Sequence, residues 1–198
     1  MTTISLHNLR LPAAIAACAL PLAALAHPGA FAEHATQPHG FAAGFVHPFT
    51  GLDHLGAMLA VGAWSAGSQR RAWIAPATFV ACLFAGALAT SAGVSVPGAE
   101  PMIAASLLVL GLLLALRAVL APAAAAALVG GFAFFHGASH GVELGAGAAL
   151  AGMVLATASL HVAGIAIALV LRERGAWLTR VSGAGLSAFG LALLGAAA

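Results

Sequence analysis

The sequence predicts an all-α, polytopic membrane helix bundle of about six transmembrane helices behind a cleaved N-terminal signal peptide. Three observations predict it. Of the 198 residues, 62% are hydrophobic and only 6% are charged, where a soluble domain carries about 25% charged residues. The mean hydropathy is +1.05, and apolar runs recur at the roughly 20-residue length that a bilayer requires. The 24 glycines supply small surfaces for close helix contact, the usual means of helix association in lipid. The same composition excludes other classes. A formal charge of +2 on scattered arginines builds no nucleic-acid surface. Cys18 and Cys82 have neither metal-site spacing nor a disulfide framework.

Residues 1–26 read as the signal peptide: Arg10 gives a weak positive start, Leu11 to Leu25 an apolar run with Pro21 near its end, and Ala24-Leu25-Ala26 a small-residue cleavage site. A retained signal anchor is the alternative. Cleavage leaves His27 at the amino terminus, where its α-amine and imidazole offer a two-point chelate. Residues 27–45 form a histidine-bearing extracytoplasmic segment containing His27, His34 and His39 with Glu33. Short histidine-rich tracts read as metal binding, and a solvated leader is the competing reading. The six-helix transmembrane domain is 46–198.

Within that domain the hydropathy divides into six spans at about 46–68, 72–94, 101–120, 122–142, 145–171 and 176–197. Arg70 and Arg71 follow the first, Arg117 ends the third, Arg172 and Arg174 follow the fifth, and Arg180 opens the sixth. All fall on one side, the cytoplasmic one by the positive-inside rule, which leaves both mature termini outside. This topology puts His27, His34, His39, His47, His54, His136 and His140 in the outer half or beyond it, with His161 near mid-membrane. The asymmetry implies metal arriving from outside. Glu100 falls in the outer loop, as a solvated turn; the second and third spans look plain, with Cys82 and Met102 as packing residues.

The first span opens with His47-Pro48-Phe49-Thr50-Gly51-Leu52-Asp53-His54 and continues to Met58. Ionisable groups inside a membrane segment mark function by default. A helix starting at Pro48, the preferred first-turn place for proline, puts His47, His54 and Met58 on one stripe and Asp53 about 100° away. Imidazole, thioether and carboxylate together suit a soft or borderline divalent metal.

The fourth span ends in Phe135-His136-Gly137-Ala138-Ser139-His140-Gly141-Val142-Glu143. On a helix His136, His140 and Glu143 share one face, the spacing of paired metal ligands. Gly137 and Gly141 form a small-residue pair expected to let the first span come close, so that both clusters share an ion. In the fifth span Met153, Thr157, His161 and Gly164 recur on one stripe, facing the bundle interior. His161 is then a second site along the path, a proton acceptor, or a histidine bonded to a neighbouring helix. The sixth span, with Gly183, Gly185 and Gly190, reads as close packing.

The two clusters, His-Pro-x-x-Gly-x-Asp-His-x-x-Ala-Met at His47 and Phe-His-Gly-x-x-His-Gly-x-Glu at Phe135, resemble the HupE/UreJ family of nickel and cobalt permeases. The leader, the length and the six-span layout are similar as well. Ser139 departs from the small apolar residue expected between the second pair of histidines. The resemblance implies uptake of Ni²⁺, with Co²⁺ as competitor, in support of enzymes such as hydrogenase or urease and their maturation machinery. It implies a transported substrate rather than a cofactor, and no enzyme activity. By motif position it makes His47, Asp53, His54, His136, His140 and Glu143 the transport residues; Met58, His161, His27, His34 and His39 are the outlying metal candidates.

The donor set also admits other classes. An intramembrane zinc hydrolase needs three histidines and an acid, which His54, His136 and His140 with Asp53 or Glu143 provide. A metal sensor or accessory subunit is a third reading. Neither accounts for a histidine-bearing outer segment followed by His161 deeper on the same route. No Walker-type glycine loop is present, so facilitated diffusion is the expected mode. Uptake is expected to fall below a pH of about 6.5, because only neutral imidazole binds metal.

Overall fold

The computed structural model describes residues 40–69 and 71–196, and among them all regular secondary structure is helical. Seven helices follow one another: α1 (Phe41–Thr50), α2 (Leu52–Ser68), α3 (Ile74–Ser91), α4 (Ala99–Leu116), α5 (Pro122–Leu144), α6 (Ala148–Arg174) and α7 (Ala176–Ala196). The five from α3 to α7 are each long and apolar enough to cross a membrane. The polytopic helical bundle read from the sequence is therefore the observed architecture. The signal peptide and His27, His34 and His39 lie outside the described residues.

The expected first span is two helices rather than one. Pro48 does not open a helix; it lies inside α1, which begins at Phe41 behind Gly40. Having no N–H, Pro48 leaves a gap in the helical ladder near the end of α1. The Thr50 hydroxyl donates to the His47 carbonyl at 2.7 Å, and Gly51 is extended, with φ −91° and ψ 114°. The chain re-enters a helix at Leu52, with the Leu55 N–H donating to the Gly51 carbonyl at 2.9 Å. The single stripe through His47, His54 and Met58 thus does not exist as a continuous helical face.

Three helix pairs make up the bundle: α3 with α5, α4 with α7, and α2 with α6, with α1 also lying on α6. Small residues set these approaches. A Cβ on Gly137 or Gly141 would run into the backbone of Leu83 or Ala87, so α3 rests directly on the glycine edge of α5. That edge was expected to receive the first span. The α1–α2 segment is instead carried by α6, through Gly44 and Gly152 around Ala149 and Phe41, and through Gly62 and Gly164 around His161 and Leu59. The histidine face of α5 is left free to meet α1 and α2. Core residues Met58, Val61, Trp64, Phe79, Leu83, Leu107 and Met153 fill the centre.

The described arginines fall where α3 begins, where α4 and α6 end, and where α7 opens. The Trp64 indole N–H donates to the Ala118 carbonyl at 2.8 Å and ties α2 to the turn after Arg117 at that end. A cavity of about 70 Å³ opens there, its lining including Ala63, Gly67, Leu114, Arg117, Ala168 and Arg172. The motif histidines gather toward the opposite end, around the C-terminus of α5 and the junction of α1 and α2.

Candidate metal site

The two motifs, about ninety residues apart in sequence, meet in space. His47 Nε2 stands 2.9 Å from His140 Nδ1, and the Glu143 carboxylate lies 3.5 Å from His47 and 3.7 Å from His140. These three donors form the one group of ligand-type atoms within 4.8 Å of one another among the described residues. His47 comes from the end of α1, whose free carbonyl groups give that end a partial negative charge favourable to a cation.

Asp53 and His54 occupy the first turn of α2 and are almost fully buried, at 1% and 4% exposure. Asp53 Oδ1 accepts both the His54 backbone N–H and its ring Nδ1–H, each at 2.8 Å. A carboxylate only accepts, so Nδ1 of His54 carries a proton, and in the neutral ring Nε2 is the nitrogen with the lone pair. Asp53 is therefore not turned away from the histidines; it orients the nearer one. Gly51 makes room for this arrangement, since a Cβ there would stand 2.9 Å from Asp53 Oδ1 and 3.3 Å from His54 Nδ1.

The His54 ring lies 4.2 Å from that of His140 and 4.8 Å from that of His136, centroid to centroid. The His136 Nε2 sits 2.9 Å from Ser106 Oγ on α4. Because the Ser106 hydroxyl gives its single proton to the Ile103 carbonyl at 2.6 Å, it accepts from His136, and His136 Nδ1 is the unprotonated nitrogen. Deeper still, His161 Nδ1 donates to the Met58 carbonyl at 2.8 Å. Phe79 packs between them, its centroid 5.5 Å from His136 and 4.9 Å from His161.

His54 Nε2, His136 Nδ1, His140 Nε2 and His161 Nε2 are all buried without a hydrogen-bond partner. A buried polar atom left unpaired costs free energy unless something else satisfies it. For His54, His136 and His161 the opposite ring nitrogen is committed to a carboxylate, a hydroxyl or a carbonyl, the arrangement by which proteins orient metal-binding imidazoles. The donor set is borderline nitrogen with carboxylate oxygen, suited to divalent nickel, cobalt or zinc.

Expectations and structure differ in particulars. The Met58 side chain is buried in the core, and its carbonyl oxygen, which the sequence did not single out, accepts from His161 Nδ1. The second and third spans are not plain, for α3 supplies Phe79 and α4 supplies Ser106. A buried hydroxyl in an apolar helix was the signal for Ser106; Phe79 carried none. Glu100 lies in the exposed first turn of α4 rather than in a loop. His161 is bonded to a neighbouring helix, as one of its readings held, yet only through one of its two nitrogens.

The family model described as HupE / UreJ protein matches residues 15–193. The chain belongs to the HupE/UreJ family. It is 40% identical over 186 residues to Protein HupE of Rhizobium leguminosarum bv. viciae, an alignment covering 91% of this chain and 94% of that one. No solved structure matches the chain. Membership in HupE/UreJ carries a nickel/cobalt transport-related role in a multi-pass membrane protein and sets aside the hydrolase reading, since the family consists of transporters rather than enzymes.

Proposed function

We propose that this chain imports Ni²⁺, with Co²⁺ as its competitor, across the cytoplasmic membrane of a bacterium by facilitated diffusion. The cargo supplies metalloenzymes such as hydrogenase or urease through their maturation machinery. The broken α1–α2 pair makes the first of six crossings, the arginine end faces the cytoplasm by the positive-inside rule, and both mature termini lie outside. Helices interrupted at membrane depth are a common means of building ion sites in transporters, because the half-helix ends present backbone charge to the ion.

One observation carries the reading: the buried imidazoles of His54, His136 and His140 converge with His47, Asp53 and Glu143, and three of them present an unpartnered nitrogen. His47, His140 and Glu143 receive the ion at the outer surface, where Glu143 is exposed and His47 half-buried. His54 and His136 take it inward, and the Asp53 carboxylate offsets its charge where water is excluded. His27, His34 and His39 raise the local metal concentration ahead of this entrance.

A membrane potential of about 100 mV, inside negative, supplies about 4.6 kcal/mol to an entering divalent cation, roughly a thousandfold in accumulation. Facilitated diffusion is sufficient on that ground. The test is uptake of radioactive nickel into cells lacking their own nickel transporters, with this chain or its Asp53→Ala and His54→Ala variants at equal membrane abundance. Uptake lost in both variants and competed by Co²⁺ supports the reading. Wild-type uptake at background, with purified protein holding stoichiometric zinc, refutes it.

A further inference from the structure

We propose that His161 and Thr157 of α6 form a second, inner station for the transported divalent cation, one aromatic ring beyond the outer histidine cluster. The proposal rests on the transport reading above and extends it from an entrance to a route.

The His161 imidazole is 2% exposed. Its Nδ1 proton is given to the Met58 carbonyl, which as a carbonyl can only accept. Nε2 is therefore fixed as a lone pair, and it is buried with no partner. One turn earlier on the same helix Thr157 is fully buried, and its Oγ1 also lacks a partner. Residues four apart on a helix project on the same side. Two unsatisfied polar atoms on one face of an otherwise apolar helix are hard to explain as packing, because threonine at a packing position commonly satisfies its hydroxyl on its own helix. Ser159, two residues on and exposed, does so, donating to the Leu155 carbonyl at 2.8 Å.

Position supports the same reading. Phe79 touches both His136 and His161, so the inner imidazole begins where the outer cluster ends. On α6 the face that holds His161 continues through Gly164 to Ala168 and Arg172 at helical spacing, and those last two line the cavity at the arginine end. The α2 backbone is held against α6 at this level by Gly62 on the His161 carbonyl and Gly164 on that of Leu59. The Met58 carbonyl that orients His161 is consequently fixed to the helix that carries it. A single imidazole and a hydroxyl, with water completing the ion's shell, bind more weakly than the outer donors, as a station that must release its ion requires.

The experiment is Co²⁺ titration of the purified full-length chain in detergent, following the metal's visible absorption and counting bound ions by equilibrium dialysis. Wild-type protein is expected to bind a tight ion and a second, weaker one. His161→Gln, whose amide retains a donor for the Met58 carbonyl, is expected to lose the weaker ion and keep the tight one; His140→Ala is expected to do the reverse. Thr157→Val, close to threonine in volume, is expected to weaken the second ion about tenfold, and it carries the test if His161→Gln does not fold. A single ion that is lost in His140→Ala and indifferent to both α6 variants overturns the inner station and leaves the transport reading standing. Absence of binding to the wild-type chain overturns both.

Discussion

Ser106 accepts a hydrogen bond from His136 across the contact between α4 and α5, because its own proton is already given to the Ile103 carbonyl. A hydroxyl on a helix with no ionisable group at that level thus decides which nitrogen of a motif histidine faces the other imidazoles. Without that acceptor the His136 proton is free to move to Nδ1, and the ring then presents an N–H to an incoming cation. Ser106→Ala is expected to raise the half-saturating nickel concentration for uptake about ten- to a hundredfold, the range for loss of an outer-shell partner. Ser106→Thr, which keeps the hydroxyl, is expected to recover most of the loss. Nitrogen-15 NMR of the histidine rings reads the tautomer directly, which a purely structural defect would leave at Nε2–H.

Gly51 offers a separate test of the first motif. Its φ of −91° is open to any residue, so alanine introduces no backbone strain there. The added methyl would nevertheless stand 2.9 Å from Asp53 Oδ1 and push the carboxylate off His54. Gly51→Ala is expected to leave thermal unfolding of the purified chain nearly unchanged while cutting nickel uptake at least tenfold. A variant with wild-type uptake would show that the Asp53–His54 bond does not matter for transport.

The legible part of this chain was its chemistry, and the hidden part was its contacts. Both motifs could be read because histidine and carboxylate are costly in an apolar helix, and the α5 spacing of His136, His140 and Glu143 is observed as helical. The α1–α2 break was not legible, since Pro48 is equally at home opening a helix and interrupting one near its end. Which helix the Gly137–Gly141 edge would meet was likewise undetermined. Small residues permit close approach to any partner, and the partner is α3. Phe79 was indistinguishable from packing because its role depends on two histidines brought in from α5 and α6.

The same glycine edge predicts a loss of stability rather than of chemistry. A Cβ on Gly137 overlaps the Leu83 carbonyl, a backbone group that cannot rotate aside. Gly137→Ala forces α3 and α5 apart along their most extensive contact, and overpacking of this kind costs about 1–3 kcal/mol. The expected outcome is a lowered unfolding temperature in detergent and reduced membrane abundance, whereas Gly131→Ala, with open space around its Cβ, is expected to behave as wild type.

Acidification tests imidazole ligation. His47 Nε2 and His140 Nδ1 face each other at 2.9 Å and hold one proton between them. A cation that takes both lone pairs requires that proton to shift to the far nitrogen of its own ring, which leaves the net charge unchanged, whereas protonation of either ring to imidazolium removes a lone pair outright. Metal binding is thus favoured as pH rises and opposed as it falls, and nickel uptake is expected to be several-fold lower at about pH 5 than at about pH 7. Proteoliposomes with the potential clamped by potassium and valinomycin isolate this effect from any change in driving force. At fixed pH the same vesicles separate diffusion from pumping. With potassium inside and valinomycin present, an inside-negative potential of about 100 mV is expected to drive accumulation toward a thousandfold, and equal potassium on both sides is expected to reduce the final ratio to about one. Accumulation that persists at zero potential, without a proton gradient or a chelator inside, would require an energy source that the proposed route does not contain.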